Sequence, residues 1–300
     1  MSHIFTKDES ANLLTIRDPM ILVVDDTYYL TGTQPPYWKG PNDGVHLWSS
    51  KDLVNFTDHG LIIKRDDLPE SAWCRDRFWA PELFDGKDGW FYVTFNCRNE
   101  SEEYKHIHSV GLARSRSITG PYEIMTLGKP LAIGNDATLF RDDDGTTYLG
   151  HAGVGNPCEG NPGAKILLLH KIDLSTGRLY DTITVCESDE GSWDEVGIEG
   201  QCIIKRDGIY YQWYSSWTNG YSAGLMSAES ISGPWKKCKN NPILKDGALW
   251  HHGGHNHSFR GLDGKDYVVF HASVDDPASE KKEQMIIRPV KYTPDGCIIG

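Results

Sequence analysis

Asp25-Asp26-Thr27-Tyr28-Tyr29-Leu30 is an acidic turn running into an aromatic strand, and the pattern returns four more times. The other copies are Asp88-Gly89-Trp90-Phe91-Tyr92-Val93, Asp144-Gly145-Thr146-Thr147-Tyr148-Leu149, Asp207-Gly208-Ile209-Tyr210-Tyr211-Gln212 and Asp263-Gly264-Lys265-Asp266-Tyr267-Val268. With Tyr29, Tyr92, Tyr148, Tyr211 and Tyr267 as markers, the steps alternate between 63 and 56 residues. Self-similarity at a fixed long period is the mark of a repeat architecture. Two more features keep the same phase. A short apolar run precedes each turn (20–24, 83–84, 137–140, 202–204, 258–259). A third strand-like run follows each aromatic strand (45–48, 110–113, 166–170, 224–227, 285–290) and ends in a turn of its own. Strand, tight turn, strand, loop, strand is an antiparallel meander. No segment carries a long apolar i, i+3, i+4 pattern. The expectation is an all-β chain folded as a five-bladed β-propeller, one domain over residues 1–300, each blade an antiparallel meander. A β-sandwich is the alternative, but it has no need of three features in phase in every repeat.

Composition bounds the function. The formal charge is −12 with no basic run, which argues against nucleic acid and anionic membrane as partners. The 10 Trp and 14 Tyr suit half-buried strands and flat stacking surfaces for ligands. Seven scattered cysteines without a CxxC pair fit buried thiols in a reduced compartment better than a disulfide framework. Lys7, Asp8 and Glu9 interrupt any apolar core of a secretory signal in residues 1–16, so a cytoplasmic location is expected, although a removed leader would leave the same sequence. No run of 18 apolar residues exists to span a membrane.

The innermost strands of a propeller line its central channel, and the residues at their entry converge on one end of it. Counting back from the markers, the converging residues are Asp18, Glu82, Asp136, Glu199 and His255. Carboxyls crowded in a partly dry site push one another's pKa values up, which is a signature of acid–base chemistry. Pro19 holds Asp18 extended at a strand mouth; a plain turn Asp is the alternative. Glu199, between Ile198 and Gly200, has the apolar surroundings that keep a carboxylic acid protonated, as a general acid requires. Glu82 reads as structural support. Trp79 reads as a sugar-stacking wall or a packing residue. Asp142, Asp143 and Asp144 read as a solvated turn, without the terminal Glu of a calcium loop. The Gly/Pro/Asn loop at 153–163 has no helix behind it and is not a phosphate loop. Four His between 251 and 257 suggest metal, but on a strand only His255 and His257 share a side, so a closed zinc site is not specified.

In order and phase, these pieces resemble one family. They are Arg17-Asp18-Pro19, Ser50-Lys51-Asp52-Leu53-Val54-Asn55-Phe56, Trp79-Ala80-Pro81-Glu82, Asp136-Ala137, Glu199-Gly200 and Gly254-His255-Asn256. Together they are similar to glycoside hydrolase family 43, five-bladed propellers acting on arabinose- and xylose-containing plant polysaccharides. The resemblance implies an inverting enzyme with Asp18 as general base, Glu199 as general acid and Asp136 orienting that acid and holding its pKa up. It implies a small oligosaccharide substrate, and His255 beside a calcium or sodium ion in the channel. Arg17, Trp79, Trp217 and Arg288 are the candidate sugar contacts. Two departures stand out. The 279–284 stretch lacks the last-blade Arg common in the family, with Arg288 arriving only later, and no β-sandwich follows the propeller. The second departure tilts the expectation from β-xylosidase towards α-L-arabinofuranosidase.

Overall fold

The computed structural model describes residues 3–4, 16–103, 105–155, 163–247, 250–274 and 283–300. Their strands form five antiparallel sheets, the blades of a five-bladed β-propeller. Blade 1 is Arg17–Val24, Thr27–Thr33, Gly44–Ser50 and Phe56–Lys64. Blade 2 is Trp79–Asp85, Phe91–Arg98 and His108–Ser115, with the short Glu123–Ile124 and Ala132–Ile133 on its third strand. Blade 3 is Asn135–Arg141, Thr147–Ala152, Ile166–Asp173 and Arg178–Glu187. Blade 4 is Glu199–Arg206, Ile209–Ser216, Ser222–Ala228 and Lys236–Lys237. Blade 5 is Trp250–Arg260, Asp266–Val274 and Glu283–Thr293, and that last strand pairs with both His3–Ile4 and Gly296–Ile299. The N-terminal strand thus sits on the last blade, with His3 opposite Ile287. The one helical element among the described residues is a single 3₁₀ turn, Arg65–Asp67.

Both faces of each sheet are covered by neighbours, so the strands are apolar on both sides, and successive residues feed opposite junctions. Val268 and Phe270 pack towards blade 4, whereas Val269 packs towards blade 1. Five buried clusters result among the described residues, one at each junction. Leu47 meets Phe95 between blades 1 and 2, Leu112 meets Leu149 between blades 2 and 3, and Leu169 meets Tyr214 between blades 3 and 4. Trp213 meets Phe270 between blades 4 and 5, and Met285 meets Ile21 where the ring closes.

One irregularity repeats in every blade. The first strand slips register against the second near its start, between Arg17 and Met20, Trp79 and Glu82, Asn135 and Thr138, Glu199 and Cys202, and Gly254 and His257. Each slip is a β-bulge. Each contains one residue with left-handed backbone: Asp18 (φ 51°), which is therefore not extended as Pro19 suggests, Ala80 (42°), Asp136 (51°), Gly200 (62°) and His255 (43°). This conformation is costly for residues other than glycine and clusters at functional sites.

Candidate active site

The five bulges bring one residue from each blade to the same end of the channel. A chain of hydrogen bonds joins them. In each blade the second-strand residue opposite the bulge faces the next blade's bulge. Thr33 Oγ1 accepts the N–H of Ala80 (2.7 Å), Ser215 Oγ accepts that of His255 (2.8 Å), and His271 Nδ1 accepts that of Asp18 (3.1 Å). Blade 3 has Ala152 at the corresponding place, and Asp136 Oδ2 itself accepts the N–H of Gly200 (2.9 Å). At Gly200 an added Cβ would lie 3.3 Å from His255 Cα, so glycine answers both the backbone and the space.

The bulges also correct the sequence count. Asp18, Asp136 and His255 are equivalent positions, but Glu82 and Glu199 are not. In blade 2 the equivalent residue is Ala80, and Glu82 lies two residues deeper, opposite Thr94. In blade 4 the equivalent residue is Gly200, and Glu199 stands one residue earlier, in the position of Arg17. The bulge adds a residue that counting from the tyrosines does not reveal.

Asp18, Asp136 and His255 meet directly. His255 Nδ1 lies 3.2 Å from Asp18 Oδ1 and 3.4 Å from Asp136 Oδ2. Thr33 Oγ1 donates to Asp18 Oδ2 (2.6 Å). Burial alone would raise the Asp18 carboxyl; the charges of His255 and Arg17 and the Thr33 bond outweigh it and bring the pKa down to about 2. His271 also lies 3.5 Å from Asp18 Oδ1. Burial holds its imidazole well below the usual range, so it is neutral, its Nδ1 carries the lone pair, and this contact is not an ion pair. Asp136 behaves oppositely. Burial and the nearby Asp18 charge push it up to about 8, against the Gly200 N–H and an Asn96 Nδ2 bond of 2.9 Å.

Glu199 accepts from Tyr221 OH at Oε1 (2.8 Å) and from Asn135 Nδ2 at Oε2 (3.0 Å). Burial first, and the Asp136 charge second, raise it to about 7. An ionised Asp18 and a protonated Glu199 therefore coexist below neutrality, the pairing that base and acid roles require.

Two cavities meet at Glu199. The smaller, about 370 Å³, is lined by Arg17, Trp38, Glu199, Trp217 and Tyr221. The larger, about 530 Å³, includes His106, His108, Asn135, Gly153, Glu199 and Trp217 in its wall. Arg17 is ion-paired to Glu283 across the ring closure and lies over the rings of Trp38 and Tyr221, at 5.1 and 5.7 Å.

Two expected sugar contacts lie elsewhere. Trp79 is buried, donates its indole N–H to the Tyr37 carbonyl (2.8 Å) and packs on His108; it backs the cavity wall and does not face it. Arg288 is buried with its guanidinium 4.7 Å from the Trp250 ring, three residues farther along its strand than the end opposite His271. The exposed aromatic side chains in the cavity walls are Trp38 and Trp217. Trp38 belongs to the loop at 34–43, whose form a repeat count does not give. Asn135, Tyr221 and His271 also escape sequence reading, because Asn135 acts from beside a bulge, Tyr221 from the bend before Ser222–Ala228 and His271 from a second strand. Residues 156–162 and 279–282 of the two stretches discussed above lie outside the described residues.

Residues 14–298 match the family described as Glycosyl hydrolases family 43. The chain is 30% identical over 264 residues to the beta-D-galactofuranosidase xynD of Aspergillus niger, covering 80% of this chain and 69% of that protein. It is 23% identical over 305 residues to the extracellular exo-alpha-(1->5)-L-arabinofuranosidase ArbA of Cellvibrio japonicus, covering 87% and 80%. It spans only 41% of the xylan 1,3-beta-xylosidase of a Vibrio species. Among solved structures, an endo-1,4-beta-xylanase from Bacteroides thetaiotaomicron superposes with a TM-score of 0.77 at 26% identity, covering 96% of this chain and 95% of that one. A match over nearly all of the chain, on the same propeller, shows that the chain belongs to glycosyl hydrolases family 43.

Proposed function

We propose that the chain is an inverting, exo-acting glycosidase that releases a terminal pentose, α-L-arabinofuranose or β-D-xylose, from short hemicellulose or pectin oligosaccharides. The observation that carries the proposal is the place of Glu199 between two cavities, with ionised Asp18 next to Arg17 on the side of the smaller one. The terminal sugar occupies the smaller cavity against Arg17, Trp38 and Tyr221. The rest of the substrate lies in the larger one, and the scissile bond crosses Glu199. Asp18 takes a proton from a water as that water attacks the anomeric carbon. Glu199 gives its proton to the departing glycosidic oxygen, and one displacement inverts the centre. Burial keeps Glu199 protonated, and Asp136 shares the His255 imidazole with Asp18.

A calcium or sodium ion beside His255 belongs to the same reading. Among the described residues no three His, Cys, Asp or Glu side chains converge to ligate a metal directly. The buried Asn256 amide, however, has neither atom partnered, and His257 Nδ1 is likewise without a partner. A hydrated cation would satisfy such groups through its water shell. Bound there, it would supply a fixed positive charge near the carboxylates.

The test is hydrolysis of aryl α-L-arabinofuranoside, β-D-xyloside and β-D-galactofuranoside by the wild type and by Glu199→Ala. One pentoside should be cleaved, and the variant should lose about 10²–10⁴-fold, least with an activated phenol. Cleavage of the galactofuranoside alone would move the substrate reading to that sugar, whose furanose ring has the configuration of α-L-arabinofuranose. Binding of sugars without turnover of any substrate would overturn the enzyme reading.

A further inference from the structure

Arg17 is the one cation among the described residues lining the smaller cavity. Two carboxylates compete for its guanidinium. One is Asp18, the next residue and the proposed base. The other is Glu283, at the start of the third strand of blade 5. Arg17 pairs with Glu283: its Nη1 donates to Oε1 across the ring closure. The Asp18 oxygens go to Thr33 and His255 instead. A guanidinium and a carboxylate in a shielded site favour a bidentate pair. Such a pair on Asp18 would occupy the oxygens that must take a proton from water.

Three aromatic rings surround the guanidinium. Its Cζ lies 5.9 Å from the Tyr37 ring, 5.1 Å from Trp38 and 5.7 Å from Tyr221. The rings are fixed in turn. The Tyr37 carbonyl accepts from the Trp79 indole (2.8 Å) and the Trp38 carbonyl from Arg77, while Tyr221 donates to Glu199 and stacks on His271. Rings attract the cation but do not set the direction of its N–H groups in their own plane. Only an acceptor settles that direction, and among the described residues the Arg17 side chain has Glu283 alone. Glu283 serves nothing else there. It makes no second ion pair among the described residues, and its Oε2 is buried without a partner. A buried carboxylate kept for folding is ordinarily satisfied at both oxygens.

We propose that Glu283 is a positioning residue that holds the Arg17 guanidinium on the sugar side of the pocket and off the Asp18 carboxylate. It fixes the direction of the guanidinium in its plane, so that the remaining N–H groups meet hydroxyls of the terminal sugar. It also leaves the Asp18 oxygens to the attacking water. Without Glu283 the rings still hold the cation near the pocket, and Asp18 becomes the anion it turns to. Sugar contact and base are then lost together. The proposal rests on Asp18 being the base and on the smaller cavity taking the terminal sugar.

The experiment follows the side-chain N–H signals of the full chain labelled with ¹⁵N-arginine, the Arg17 Nε–H being assigned by its absence from Arg17→Lys. In the wild type that signal should be moved upfield by the three rings and exchange slowly with water. Glu283→Gln, which keeps the shape, and Glu283→Ala, which removes the acceptor, should shift it and speed its exchange, the second more than the first. The same signal in both variants would overturn the proposal. Because no substrate is involved, a wrong sugar assignment leaves this readout intact. A kinetic arm uses aryl glycosides of whichever sugar the wild type cleaves, on variants whose melting shows them folded. Glu283→Ala should lower kcat/KM about 10–100-fold, with kcat falling as well as KM rising, because the base is masked. In an Arg17→Met background the same substitution should cost less than about threefold, since the two residues act as one unit. Losses that multiply in the double variant would show a merely structural role for Glu283 and overturn the proposal. If Asp18→Asn keeps wild-type turnover, the base assignment fails instead, while the Arg17 signal still decides what Glu283 holds.

Discussion

Asp18 and Glu199 share one pocket but hold protons at opposite ends of the carboxylate range, because their partners differ. Asp18 is surrounded by cations and a hydroxyl donor, and Glu199 by burial and another carboxyl. Activity should therefore be carried between the two values. As pH rises through about 7, Glu199 loses its proton and kcat/KM should fall; the acid limb should lie near 2. Thr33→Val removes a bond that favours ionised Asp18, so the acid limb should move to higher pH. Tyr221→Phe removes one that favours ionised Glu199, so the alkaline limb should also move up, with about tenfold loss on poor leaving groups. A kcat/KM profile for each variant checks both signs. At this scale Asp18, Asp136 and His255 were legible because each is a polar residue at a strand mouth where folding alone would place an apolar one. Trp79 was not, since a tryptophan at a strand start reads the same whether its face is covered by His108 or open to a sugar.

The element that builds the site is the bulged first strand. A regular strand alternates its side chains between two blade junctions and aims none down the channel. The left-handed residue breaks that alternation and turns Asp18, Asp136 and His255 inward. Gly200 pays for the same geometry with the loss of a side chain, and that leaves Glu199 as the chemical group of blade 4. Gly200→Ala should cost about 1–2 kcal/mol for the left-handed backbone, and more for a Cβ 3.1 Å from Ser215 Oγ. Because the strain acts next to Glu199, kcat should fall further than the loss of folded protein explains; thermal melting and kcat on one preparation separate the two. The meander and its phase were open to reading because turn residues and aromatic strands are local signals. The bulge was not, because a one-residue insertion has no composition of its own, and it displaced the expected blade 2 residue from Ala80 to Glu82.

At the scale of the molecule, five apolar junctions carry the ring, and the channel they enclose holds carboxyls that the fold prefers protonated. Asp136 and Glu82 are both held at about 8, with burial the first cause. A group raised above its unfolded value stabilises fully below that unfolded value and loses its contribution as pH rises through the folded one. The melting temperature should thus decline from pH 5 to pH 9, and Asp136→Asn or Glu82→Gln should flatten the decline. Calorimetry across that range decides it; a curve rising towards pH 9 would contradict the assignment. The ring was legible as a whole because its period is written five times, whereas its closing contacts join residues too far apart for any local pattern to show.

The closing contact at the pocket has a temporal meaning. The amide of Asp18 is held by His271, 253 residues later in the chain, and its carboxylate by His255. Its own blade supplies only the Thr33 bond, and the other contacts of this proposed base come from the last blade. A chain without the fifth blade would keep the Thr33 bond to Asp18 but lack its His271 and His255 contacts. The proposed chemistry therefore waits for the ring to close.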